Sequence, residues 1–188
     1  MDLNGLIRAL GPSLAGTPLK QLEAAWTPRF VRKGEVLARQ GDQVTQEIMV
    51  LDGRIVSQIC DADGRGVAVA FCVGPGFVSP HIARTRDSTS LVTLAVTEDA
   101  TIAEMRADTL LAMMLESPDI RDWSNGILRG ELSRKTDREW CLAALGGSDR
   151  LAWFRGRYPG YEDLFSHSQI ASFLGMTRVT LSRLRKGS

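Results

Sequence analysis

Near its end the 188-residue chain runs Ser168-Gln-Ile-Ala-Ser-Phe-Leu-Gly-Met-Thr177-Arg-Val-Thr-Leu-Ser-Arg-Leu-Arg-Lys186. Arg178, Arg183, Arg185 and Lys186 fall within nine residues of one another, beside the hydroxyls of Thr177, Thr180 and Ser182. A guanidinium can donate two hydrogen bonds to O6 and N7 of guanine, while hydroxyls, amides and ammonium groups bond phosphate oxygens. The chemistry on offer is recognition of double-stranded nucleic acid rather than bond making.

Such recognition needs two helices held at a fixed angle. Ile170, Ala171 and Leu174 form the inward face of a helix over Gln169–Leu174, opened by Ser166 or Ser168. Small Ala171 lets a second helix approach, Gly175 supplies a left-handed turn, and Thr177 caps the next helix. In that second helix Leu181 and Leu184 pack inward. Arg178, Thr180, Arg183, Arg185 and Lys186 are left where a major groove would meet them. The competing reading is a solvated amphipathic hairpin whose basic residues only favour a helix C-terminus. Small residue, glycine turn, threonine cap and arginine spacing coincide, and together they favour a helix-turn-helix.

Charge supports this placement. The chain carries 23 basic and 22 acidic residues, but residues 146–188 hold 7 basic against 3 acidic. With 44% hydrophobic residues it is an ordinary globular chain, long enough for one large domain or a medium one carrying a small one. It has no run of about 18 apolar residues and no secretory start, so a cytoplasmic protein with no membrane partner is expected. Cys60, Cys72 and Cys141 are odd in number and widely spaced, which suits buried reduced thiols.

Upstream elements must position the basic block. Leu3, Leu6, Ile7 and Leu10, then Leu19, Leu22, Ala25 and Trp26, predict two short helices broken at Gly11-Pro12. From Phe30 to Met105, short apolar runs alternate with glycine turns every 8–12 residues, the texture of a β-sandwich or small β-barrel. Hairpins are expected at Asp52-Gly53 and at Asp63-Gly64. Helical spacing then predicts a helix over Ala107–Glu116 and a second one from Pro118 towards Leu145, whose apolar stripe thins over Ser133–Glu139. That helix is either half-exposed or paired with a twin across a dimer axis. Gly146-Gly147-Ser148 reads as a hinge, followed by a helix over Asp149–Tyr158 and a loop over Pro159–Phe165.

Several stretches in this order resemble the CRP/FNR transcription regulators. They are Phe30-Val-Arg-Lys-Gly-Glu35, Gly41-Asp42, Val50-Leu51-Asp-Gly53-Arg-Ile-Val56, Gly74-Pro-Gly-Phe77, Thr101-Ile-Ala-Glu-Met105, Asp149-Arg-Leu-Ala-Trp-Phe154 and Ile170–Thr177 with Thr180-Leu-Ser-Arg183. The resemblance implies an α+β chain. A cyclic-nucleotide-binding-type β-barrel (a double-stranded β-helix or jelly roll) with a long dimerisation helix would occupy residues 1–145. A small all-α helix-turn-helix domain would occupy residues 146–188. It further implies a homodimer on a near-palindromic operator, with Arg178, Val179 and Arg183 at base-reading positions. Ser166, Ser168, Gln169, Thr180, Ser182 and Lys186 become candidates for phosphate contacts. Val179 replaces an acidic residue of some relatives, which shifts readout there towards a thymine methyl. Ser188 follows the recognition helix directly, so a short member without the family's β-wing is implied.

The resemblance also locates an effector pocket, at Phe77, Ser79, Pro80, His81, Ser90 and Leu91. Relatives that bind cyclic nucleotides carry Gly-Glu and Arg-Ser/Thr there. Here Ser79-Pro80 and Ser90-Leu91 stand instead, so both charged contacts are absent and tight cyclic AMP binding is not expected. Arg84 and Arg86, in an expected surface loop, are the candidates to replace the lost cation. Three scattered cysteines cannot hold an iron–sulfur cluster, and His81 lacks a second ligand, so neither metal nor cofactor is expected. No hydrolase, P-loop or dinucleotide motif is present, which argues against an enzyme. The rival function is a signalling module with a vestigial pocket that binds a small molecule or protein and reads no specific operator.

Overall fold

In a computed structural model, which describes residues 2–61 and 63–186, the chain opens with α1 (Leu3–Leu10) and α2 (Gly16–Ala24). They are the two short helices expected around Gly11-Pro12. Asp2 caps α1 by accepting from the Gly5 N–H at 2.8 Å. A side chain at Gly11 would meet the Trp123 ring at 2.4 Å, so glycine there lets the later helix close on α1.

The β region comprises β1 (Thr27–Val31), β2 (Val36–Ala38), β3 (Gln46–Cys60), β4 (Gly66–Val73) and β5 (Gly76–Phe77). After α3 (His81–Arg84) come β6 (Thr85–Arg86), β7 (Thr89–Ser90) and β8 (Thr93–Arg106). Every pairing is antiparallel, in the order β1-β8-β3-β4, with β2 also on β8 and β5 on β3, while β6 and β7 form a separate small ribbon. The Asp63-Gly64 hairpin joins β3 to β4, with Arg54 opposite Val73 and Cys60 opposite Gly66.

The hairpin expected at Asp52-Gly53 does not exist, because β3 runs straight through it. Its register against β8 shifts three times between Val50 and Ile55, which bends the strand instead of reversing it. Gly53 has φ +96°, and a Cβ there would lie 2.4 Å from that of Ala100 on β8. Both the left-handed backbone and the close approach require glycine.

Helices α4 (Ala107–Glu116) and α5 (Pro118–Ala144) follow; Ser117 caps α5 and Pro118 sits in its first turn. The chain continues through α6 (Gly147–Arg157), α7 (Tyr161–Leu164), α8 (His167–Phe173) and α9 (Arg178–Lys186). Helix α6 starts two residues before the expected Asp149, so the break after α5 shrinks to Leu145 and Gly146. The expected loop over Pro159–Phe165 contains the single turn α7.

Three apolar cores hold these pieces. One packs α1, α2, α4 and α5 on the sheet through Leu6, Ile7, Leu22, Trp26, Ile120 and Trp123. A second fills the roll with Val31, Ile48, Ile55, Leu94, Val96 and Ile102. The third joins Val56 and Ala68 of the roll to Leu151, Phe154, Ile170, Phe173 and Leu181, so the last helices pack directly on β4. Of the cysteines only Cys141 is buried; Cys72 is half-buried and Cys60 is exposed, because it lies at the β3–β4 hairpin end. No helix among the described residues is long and apolar enough to cross a membrane.

Candidate nucleic-acid interface and effector cavity

The pair α8–α9 is built as a helix-turn-helix. Ser166 and Gln169 form a capping box: the Gln169 N–H donates to Ser166 Oγ at 3.2 Å and the Ser166 N–H to Gln169 Oε1 at 3.0 Å. Gly175 takes φ +62° and the Met176 N–H returns to the Ala171 carbonyl at 3.0 Å, which turns the chain. Thr177 caps α9 by accepting from the Thr180 N–H at 3.1 Å, and the two threonine hydroxyls bond each other at 2.9 Å. Replacing Ser166 by alanine is expected to cost about 1 kcal/mol, read as a lower denaturation midpoint with unchanged slope.

Leu181 anchors α9, while Arg178, Val179, Thr180, Ser182, Arg183 and Lys186 are exposed. Val179, apolar and 60% exposed, stands out among them. Ser168 is exposed too, whereas Gln169 is half-buried with its carbonyl committed to the cap. Arg185 turns back onto His167 and to Glu162 at 3.3 Å, so it braces the helices from within.

Of the six expected pocket residues, Phe77, Ser79 and Leu91 line one cavity; Pro80, His81 and Ser90 do not. Pro80 is buried, His81 Nε2 donates to the Val44 carbonyl at 2.8 Å, and Ser90 Oγ donates to the Val92 carbonyl at 2.7 Å. Arg84 is no loop residue. It ends α3, is 2% exposed, and donates to the Ser79 and Gln46 carbonyls, leaving Nη1 without a partner among the described residues. Burial lowers its pKa and raises that of Glu47, whose carboxylate accepts the His81 N–H at 2.8 Å. Arg86 is exposed.

A carboxylate from α5 reaches this segment. Glu131, 4% exposed, accepts from Ser79 Oγ at 2.6 Å and from Arg134 at 2.7 Å, and Lys135 donates to the Ala83 carbonyl at 2.8 Å. The Ser79 hydroxyl is thus already bound to a carboxylate that is itself paired with Arg134. The cavity measures about 1210 Å³ and runs from Phe77 along β4 and α5 to Tyr158 and Phe173. Burial pushes the Cys72 thiol on its wall up to about 12, so it stays protonated and unreactive at neutral pH.

Two arginines tie the cavity to the helix-turn-helix. Arg138 of α5 donates to the Phe173 and Ala68 carbonyls, with its guanidinium 4.7 Å from the Phe173 ring centre. Arg150 of α6 donates to the carbonyls of Leu142, Leu145 and Leu174. The sequence patterns assign no site role to Arg138, Arg150 or Glu131. The one signal was the thinning apolar stripe over Ser133–Glu139, which marks the polar face of α5 that meets the cavity.

Residues 28–117 match the family described as Cyclic nucleotide-binding domain. That match covers a little under half of the chain. A search of curated proteins gives no match. Among solved structures, a CooA mutant from Carboxydothermus hydrogenoformans aligns over 97% of this chain and 83% of its own, at 16% identity and TM-score 0.74. The c-di-GMP-responsive global regulator CLP of Xanthomonas campestris aligns over 90% of this chain and 89% of its own, at 19% identity and TM-score 0.71. A CRP/FNR-family transcriptional regulator of Eubacterium rectale aligns over 95% and 85%, at 19% identity and TM-score 0.68. The roll, the long helix and the terminal helices thus share the fold of these regulators.

Proposed function

We propose that the chain is a dimeric, sequence-specific DNA-binding transcription regulator of CRP/FNR type. In this reading residues 1–145 sense an effector other than cyclic AMP and residues 146–188 read DNA. The observation that carries the reading is α9. Arg178 and Arg183 bond no described residue, Val179 is an exposed apolar side chain, and all three stand on a helix fixed by α8. Such groups make no bond to the described fold and match base readout in a major groove. Leu132 and Trp140 on α5, each more than half exposed, supply apolar surface for a second copy. CLP's response to cyclic di-GMP is precedent for an effector other than cyclic AMP on this fold.

The test is selection of genomic fragments by the purified protein at physiological salt. Enrichment of a shared two-fold motif supports the reading. Recovery of unpatterned DNA that falls away steeply with salt would leave only polyanion binding. The pocket chemistry gives a second expectation, that 1 mM cyclic AMP leaves the melting temperature unchanged. A ligand at 100 times its dissociation constant would add about 2.7 kcal/mol, which a thermal scan resolves.

A further inference from the structure

Where α5, α6 and β4 meet, three guanidinium groups gather around one tyrosine. Arg134 and Arg138 lie one turn apart on α5, and Arg157 ends α6. The Arg157 guanidinium is 5.9 Å from the Tyr158 ring centre, and that ring is 5.7 Å from Phe173, on which Arg138 rests. Burial, with a smaller push from Asp137, raises the pKa of the Tyr158 hydroxyl, and the three arginines act against that rise.

Their counter-charges are few. Glu131 takes one end of Arg134, Asp137 reaches Arg157 only at 3.4 Å, and Arg138 bonds backbone carbonyls alone. The described residues lining the cavity include five basic side chains against Glu131 and Glu139. One of the five is the nine-tenths buried Arg84 with its unpartnered Nη1. The facing wall is apolar, built by Val69, Phe71 and Val73 of β4 with Phe77 of β5. A space of about 1210 Å³ is far too large for an inorganic anion alone.

We propose that this junction binds an amphipathic organic oxyanion, its anionic group among Arg134, Arg138 and Arg157 and its flat apolar body against β4. The inference deepens the regulator reading and rests on it for its biological meaning. Within the Phe77–Leu91 segment Ser79 is already bound to Glu131 and Arg84 donates to the Ser79 and Gln46 carbonyls, so the anionic group is assigned to the three arginines of α5 and α6. Charge-assisted bonds from paired guanidiniums suit phosphate and carboxylate alike, and they are stronger beside an apolar wall than in water. One ligand would touch β4, α5 and α6 together. It would therefore favour whichever arrangement of α6 and the reading helix keeps Arg157 beside Arg134.

The test is titration calorimetry on the full chain with 1-naphthyl phosphate, 2-naphthoate and uncharged 2-naphthol, and with inorganic phosphate alone. At least one naphthyl anion is expected to bind ten times or more tightly than 2-naphthol and than inorganic phosphate; which of the two binds better separates phosphate from carboxylate ligands. In the Arg134→Gln/Arg157→Gln variant that advantage is lost, while Arg121→Gln, outside the cavity lining, retains it. Anions that bind no better than 2-naphthol, or equally well to the double variant, overturn the proposal; if the double variant fails to fold, the comparison within the wild-type chain still decides. The fragment selection is scored separately. Arginine-dependent anion binding without operator enrichment sinks the regulator reading and leaves the site, and the reverse outcome sinks the site alone.

Discussion

Replacing Arg178 and Arg183 together by alanine is expected to weaken binding to the selected operator by at least about thirtyfold per subunit. Each bidentate guanine contact discriminates by about 1–3 kcal/mol, and two such contacts add where they read separate base pairs. Neither side chain bonds any described residue, so the melting temperature of the variant should stay close to that of the parent. Fluorescence anisotropy against operator and scrambled duplexes at two salt concentrations checks the outcome. The operator loses its advantage over the scrambled duplex, and residual binding to both remains salt-dependent. Equal weakening on both duplexes would show that the two arginines contact phosphate only, and the base-reading role would fall. Arg185→Ala is the contrasting case. Its guanidinium bonds His167 and lies 3.3 Å from Glu162, so its loss should lower stability before it touches specificity.

Local patterns carried much of this architecture. The α4 boundaries, the start of α5 at Pro118 and the Gly175–Thr177 turn follow from spacing, a proline and a cap, all signals that act within a few residues. The misreadings come from longer range. Asp-Gly has the same appearance in a two-residue hairpin and in a bulge; the approach of Ala100 to Gly53, 47 positions along the chain, decides which forms. Arg84 reads as a solvated loop residue until α3 rolls it beneath the Ser79 and Gln46 carbonyls. Arg134 and Arg138 look like the solvated face of a helix, and only the packing of β4 and α8 against that face turns them into cavity walls. The pocket residues were half legible for the same reason. Phe77, Ser79 and Leu91 face the cavity, but the turn at α3 sends His81 towards Val44.

Phe173→Ala should be the most destabilising single change at the junction of roll and terminal helices, costing about 3–5 kcal/mol. Its ring is 1% exposed, with centres 5.0 Å from Phe71, 5.8 Å from Phe154 and 5.7 Å from Tyr158, and Arg138 lies across it. Truncation leaves a cavity and strips the aromatic face from a guanidinium that bridges Phe173 and Ala68. For a chain of this size the midpoint should fall by roughly 6–20 °C. The two other cores do not include Phe173, so the roll should outlast the terminal helices and the single thermal transition should split into two. Operator affinity should fall with the first transition, since α9 is held through α8 and the ring under it. An unchanged single transition with a loss below about 1 kcal/mol would mean that this aromatic cluster carries little of the docking. The hydrogen bonds from the Ala68 N–H to Ser172 Oγ and from Arg54 to the Leu164 carbonyl would then be the next links to cut.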